Sequence, residues 1–437
     1  MPKAHYHTHE AAKLFKAVLA PEQIESVARQ TGFVRRLRVI TGTSVFWALT
    51  LTLGAHKSEY ISDVLRTLNN NEGWSIRYKP FWNRLAKLAF PRFMKTLFEE
   101  LCRELAIRVL KRDRDGDVSC FSEIYIDDGS SFALADGLRR FFPGRFRKTS
   151  PAAVELHAHM SVLKDEMLCV TLAPDKEGER QYLPPATSLP RHSLSLRDRG
   201  YIDLEYFEEL AKPEAYLICR AKTNLNPTIV KVIAGLPRRL ARKWQGKQLQ
   251  TLRDSKLRRD LDLLVEWPRP DNRTLVLRLC IRYVPEKKSW TWLLNNIPVD
   301  LVDADVIGRL YRLRWQIELV FKTWKSYANL HGFQTENRSI AEGFIWASLC
   351  ASLIKRSLAH WAQLTLRPLI PISTRIAAMA GPQLLPRLMA WARSAFRPSD
   401  FDEILRFLTN SALRTHPERD CHSPLATLGL SPHGVNA

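Results

Sequence analysis

Four side chains in the run YRLRWQIELVFKTWK, residues 311–325, fall at spacings that would let them work together: Tyr311, Arg314, Glu318 and Lys325 are separated by three, four and seven positions. On a helix they lie within roughly 40° of one another, and Leu313, Ile317, Val320, Phe321 and Trp324 form an adjoining apolar stripe that packs on a core. A carboxylate then stands in line with two cations and a phenol. Cations and a phenol suit a phosphodiester, and a carboxylate suits a hard metal ion. The same spacing also describes a solvated helix face with ordinary ion pairs, and it does not by itself choose between the two.

Tyrosine, two residues, arginine, three residues, glutamate, six residues, lysine: this order resembles the YREK signature of the insertion-sequence type 4 transposases. Two upstream runs occur in that family's order, DGSSF at residues 128–132 and DRGY at residues 198–201. Three motifs spread over about two hundred residues are far more specific than one. The resemblance spans about residues 30–350 and fades at both tails. It implies a DDE transposase that binds the terminal inverted repeats of a bacterial insertion sequence, cuts donor DNA, closes the ends as hairpins and joins them to target DNA.

Cutting a phosphodiester needs a deprotonated nucleophile, in-line approach and charge neutralisation at the leaving oxygen, which two divalent ions about 4 Å apart can supply. Magnesium takes oxygen ligands, as manganese does here as an alternative, so Asp128, Asp198 and Glu318 are the expected catalytic and metal-binding residues. Arg314, by its fork, and Lys325, as a point charge, would hold the phosphate near the cleaved end, with Tyr311 donating its hydroxyl. The family resemblance ties these three to the terminal phosphate of the hairpin. It also implies that Trp292, in KKSWTWLLNN, stacks on a flipped base, although tryptophan is more often a core residue. Asp127 reads as a turn or capping residue beside Asp128, and Asp203 and Glu205 as caps of the following helix. His157 and His159 share a strand face with no assigned role, and His5, His7 and His9 belong to a polar tail.

These side chains need rigid supports. Residues 1–117 read as an N-terminal helical DNA-binding domain, in which Arg77, Lys79, Arg84 and Lys87 are interleaved with Trp74, Tyr78 and Trp82. Such mixing suits phosphate and base contacts as well as it suits a helix over an aromatic core, and the resemblance favours DNA, with Arg84 as a contact. After the polar break RDRDGD, residues 118–221 show three strands, then strand, helix and strand. With a long helix later, that is the element order of a ribonuclease H-like α/β core. Asp128 is expected to end the first strand and Asp198 the fourth. Residues 222–298 depart from this order, and the resemblance makes them a mainly β insertion domain. Its basic run PRRLARKWQGK suits tracking a phosphate backbone. Residues 299–365 return to the core with the YREK helix, and residues 366–437 form a C-terminal helical region and a loosely ordered tail.

Composition agrees. The 437 residues carry 66 Lys and Arg against 45 Asp and Glu, a net charge of +21, which favours binding a polyanion through counterion release. Seven scattered cysteines without a CxxC pair read as reduced thiols. The longest apolar runs, residues 45–55 and 343–354, are too short to span a bilayer. The expected setting is bacterial cytoplasm and nucleoid, with transposon-end and target DNA as partners, a homodimer in the synaptic complex and no membrane. Two other readings stay open at this level: a ribonuclease H-like nuclease without strand transfer, and a transposase-derived DNA-binding protein that has lost catalysis.

Overall fold

A computed structural model describes residues 2–36, 39–55, 60–114, 116–146, 148–222, 224–254, 258–285, 288–328, 330, 333–394 and 396–432. The chain opens with six helices: α1 (Pro2–Leu19), α2 (Pro21–Gln30), α3 (Gly42–Ala55), α4 (Ile61–Glu72), α5 (Tyr78–Leu85) and α6 (Ala89–Leu105). The histidine-bearing start, read as a tail, is the first part of α1; the side chains of His5 and His7 lie outside the described residues. α6 is amphipathic, burying Phe90, Phe93, Met94, Leu97, Phe98 and Leu101 along one stripe.

The strands β1 (Leu110–Arg112), β2 (Ile124–Ala133), β3 (Ala153–Ser161), β4 (Glu166–Pro174) and β5 (Leu194–Arg197) follow, then α7 (Leu204–Glu209) and β6 (Tyr216–Arg220). As expected, Asp203 caps α7, accepting from the backbone N–H groups of Glu205 and Tyr206. β4, β3, β2, β5 and β6 lie side by side in that order. β2 is antiparallel to β3, and β3 to β4, whereas β2, β5 and β6 run parallel. Three antiparallel strands followed by two parallel ones around the first is the ribonuclease H-like arrangement, so the expected fold class holds.

The segment after β6 adds β7 (Thr228–Ala234), α8 (Arg238–Trp244), α9 (Leu249–Asp254), β8 (Leu261–Pro268), β9 (Thr274–Val284) and β10 (Ser289–Asn295). These strands do not form a detached sheet. β10 pairs with β6, with Leu294 opposite Cys219, and β9, β8 and β7 continue outward, giving one nine-stranded sheet. An unpaired β6 edge would expose its backbone, and β10 satisfies it. The basic residues Arg238, Arg239, Arg242 and Lys243 are exposed on α8, beside the last strand.

The chain then forms α10 (Ala304–Arg312), α11 (Trp315–Tyr327), α12 (Arg338–Leu366), α13 (Thr374–Met379), α14 (Gly381–Arg393), α15 (Pro398–Ser411) and β11 (Leu430–Pro432). α12 is buried on nearly every side, packing against α3 and α6 on one flank and α15 on another. Helices from both ends of the chain thereby share a core with one face of the sheet, reaching Ile124, Ile126 and Phe132 of β2. Tyr125, Tyr206, Phe207 and the insertion strands pack on the opposite face. Lys355 of α12 is buried, and its Nζ donates to the carbonyls of Gly54 at 2.8 Å, Ala378 at 3.2 Å and Tyr327 at 3.3 Å. One ammonium thus caps the C-terminal ends of α3, α13 and α11, where helix dipoles favour a cation. Burial pulls its pKa down to about 8. The tail is more ordered than its turn-rich sequence predicts: β11 pairs with β1, and Arg309 donates to the Thr427 carbonyl at 3.0 Å.

Candidate active site

β2 alternates its side chains between two faces. Ile124, Ile126, Asp128 and Phe132 turn towards α11, and Tyr125 and Asp127 turn away. β2 continues through Asp128 to Ala133 beside β3, so Asp128 does not end the strand as expected. What ends there is the parallel ladder with β5, whose last register pair is Asp127 with Arg197. Asp198 follows immediately as β5 gives way to a short turn. Gly129 has a packing reason, because a Cβ there would lie 2.6 Å from the Glu155 carboxylate.

The YREK residues do not share one unbroken helix. α10 ends at Arg312, and α11 begins at Trp315. Leu313 and Arg314 keep right-handed helical dihedrals, but their N–H groups bond three residues back, to Leu310 and Tyr311, which tightens the turn. The polar side chains still converge. Arg314 Nη1 lies 2.7 Å from Asp128 Oδ2, and its Nη2 pairs with Glu318 Oε1. The Tyr311 hydroxyl donates to Asp198 Oδ1 at 3.2 Å. Asp128, Arg314 and Glu318 keep side-chain exposures of 16%, 14% and 27%, so the cluster is sheltered yet open on one side.

Burial pushes the Asp128 carboxyl up to about 7, with Asp198 and Glu318 adding to the rise against Arg314 and the Gly129 N–H. Burial also raises the Tyr311 hydroxyl, reinforced by Asp198, so it stays a donor. Arg314, despite burial, is held firmly charged, first by Asp128. Among the described residues no group of three His, Cys, Asp or Glu side chains converges as a finished metal cage. The guanidinium of Arg314 stands between Asp128 and Glu318 and supplies the positive charge there. The donors are hard carboxylate oxygens from three separate elements, which fits divalent magnesium or manganese once that guanidinium withdraws.

The other expected residues are distributed unevenly. Lys325 is exposed on the same side of α11, its Nζ 5.4 Å from the centre of the Phe132 ring and four strand positions beyond Asp128. Arg84 lies on α5 among the N-terminal helices, its guanidinium 5.1 Å from the centre of the Phe33 ring and donating to the Phe33 carbonyl at 3.4 Å. Trp292 is 4% exposed in the core on the face opposite α11, where β-strand alternation places it. Trp290 is half-buried against Tyr283.

Asp127 is neither turn nor cap. It is buried in β2, and its carboxylate meets Arg197 Nε at 2.7 Å and His159 Nδ1 at 2.7 Å. Burial pushes its pKa up, but Arg197 and His159 outweigh that and hold it down to about 2. The sequence carried one signal for this pair: an ionisable residue directly before each candidate aspartate, on strands that alternate faces.

A ribonuclease H-like sheet with carboxylates from two central strands and a helix, beside an arginine, a tyrosine and a lysine, defines a phosphodiester-directed enzyme of the DDE class. Residues 123–354 match the family described as Transposase DDE domain, and the chain belongs to that family. It is a DDE transposase, an enzyme of DNA cleavage and strand transfer, and enzymes of this class bind DNA and use divalent metal ions. It is similar to the transposase for insertion sequence element IS231B of Bacillus thuringiensis subsp. berliner, 23% identical over 383 residues, covering 77% of each chain. It is also similar to the transposase for IS1151 of Clostridium perfringens, 22% identical over 270 residues, 54% of this chain and 57% of that one. The piggyBac transposase in a cryo-EM synaptic complex with hairpin DNA aligns with a TM-score of 0.46 and 9% identity, over 92% of this chain and 85% of that one. Among the described residues no helix is long and apolar enough to cross a membrane.

Proposed function

We propose that this transposase acts on the terminal inverted repeats of its own insertion sequence, with Asp128, Asp198 and Glu318 as the catalytic, metal-holding residues. Pairing of Asp128 and Glu318 with the one guanidinium of Arg314, with Asp198 held by the Tyr311 hydroxyl of the same segment, is the observation that carries the reading. Bound magnesium or manganese would neutralise the leaving oxygen and activate the attacking hydroxyl. Before metal binds, Arg314 balances the charge of Asp128 and Glu318. Once displaced, it is free to turn its fork to the DNA phosphate at the cut end. Tyr311 donates to the same phosphate, and Lys325, exposed at the mouth, adds a point charge. The exposed Arg77, Lys79 and Lys87 of the N-terminal region, with the basic face of α8, would track the end duplex. Cleavage through hairpin ends, a synaptic homodimer and a setting in the bacterial cytoplasm complete the proposal.

The test uses purified protein, a labelled duplex carrying the element's terminal repeat, and magnesium or EDTA, comparing wild type with Glu318→Gln. Metal-dependent cleavage followed by a hairpin or transfer product, absent in the variant, is the expected result. End binding without cleavage in magnesium, or in manganese put in its place, would mean a DNA-binding relative, and cleavage surviving the substitution would put the active site elsewhere.

A further inference from the structure

Asp128 and Asp198 each directly follow a charged residue that points the other way. Asp127 and Arg197 are register partners, and His159 of β3 is the partner of Asp127 on its other side. His159, Asp127 and Arg197 therefore form one row across β3, β2 and β5. Arg197 is fully buried, and its second nitrogen, Nη2, donates to the Tyr206 hydroxyl of α7 at 2.8 Å. That hydroxyl in turn donates to the Pro184 carbonyl at 2.9 Å. The row spans three strands and is anchored to a helix and a loop.

β5 is only four residues long, and its parallel ladder with β2 stops at this pair. A one-residue slip in such a ladder would move each aspartate to the wrong face of the sheet. We propose that Asp127 and Arg197 are positioning residues for the reaction: their cross-strand ion pair, on the face away from α11, fixes the register and separation of β2 and β5 at the last rung before Asp128 and Asp198. The pair touches neither substrate nor metal. It acts through the backbone of the next residue on each strand, which no other cross-strand pair of these two strands adjoins.

This rests on the reading of Asp128 and Asp198 as metal ligands, and the experiment separates the two. Mn2+ affinity of the full-length protein is measured by electron paramagnetic resonance without DNA, and cleavage rate and end-DNA affinity are measured in parallel. The variants are Asp127→Asn, Arg197→Lys and the double neutral Asp127→Asn with Arg197→Met. Removing both charges together avoids an uncompensated buried ion, so the double variant is expected to fold with near-wild-type stability. Each variant should bind Mn2+ about tenfold or more weakly and cleave about tenfold or more slowly, as outer partners of metal ligands typically do when removed. End-DNA affinity should stay unchanged, which a merely structural defect would not guarantee, and Arg197→Lys should retain more function than the double variant. A folded double variant with wild-type Mn2+ affinity and cleavage rate overturns the inference. If Asp198→Asn also leaves Mn2+ affinity untouched, the metal-site reading fails instead.

Discussion

Asp127 and Asp128 are covalent neighbours with opposite environments. Asp127 faces a closed compartment in which Arg197 and His159 meet its oxygens, and it is held at about 2 against the burial that opposes this. Asp128 faces a half-open cluster where burial and two further carboxylates lift it to about 7. One carboxylate is satisfied by its surroundings, and the other is left short of positive charge. A satisfied buried ion pair holds structure, whereas a crowded acidic cluster with one arginine is ready to accept another cation.

Substitutions on the two faces should separate these roles. Arg197→Met leaves the buried Asp127 without its guanidinium partner, with only His159 against its carboxylate, and should cost about 3–5 kcal/mol in urea unfolding; a loss within experimental error would mean the pair holds nothing. Asp128→Asn should do the reverse. A carboxyl raised from its ordinary range to about 7 is protonated in the fold but ionised when unfolded at intermediate pH. Its contribution is therefore complete at acid pH and lost as pH rises through 7. The asparagine variant should accordingly gain about 2 kcal/mol over wild type at pH 8 in EDTA and little at pH 4, while losing cleavage. An equal difference at both pH values would show that the fold does not hold the Asp128 carboxyl above its ordinary range.

Arg314→Gln sharpens the comparison further, because it removes the cluster's own cation. Without DNA, Mn2+ should bind about tenfold more tightly, roughly 1.4 kcal/mol, and cleavage should nevertheless fall. Weaker Mn2+ binding in this variant would show that the guanidinium does not compete with metal. Lys325→Ala should have the smallest effect on the fold, within about 0.5 kcal/mol, because the side chain is exposed. Its effect belongs in binding: the salt dependence of end-DNA affinity should lose about one unit of slope. An unchanged slope would place Lys325 away from the phosphates.

The run at residues 311–325, with DGSSF and DRGY, pointed to Asp128, Asp198 and Glu318 only through the family resemblance the three motifs carry together; the local spacing alone also described an ordinary helix face. Strand and helix order likewise disclosed the ribonuclease H-like core, since each of β2 to β6 has a recognisable run of its own. The tight turn at Leu313 and Arg314 was not legible, having no proline or glycine to mark it. Nor was the fusion of the insertion strands to β6, which depends on an edge formed by residues far apart in sequence.

Trp292 shows the same limit: its residue type suited a base platform, and only the sheet's second layer buried it. The tertiary structure alone also decided the partners of Asp127. Arg197 is 70 residues from it and His159 is 32, and nothing local distinguishes a capping aspartate from one held in a buried row. The sequence by itself determined which residue types can do the chemistry and which elements carry them. Only packing determined which charges meet, because an ion pair's strength depends on burial and geometry that separate segments create when they fold together.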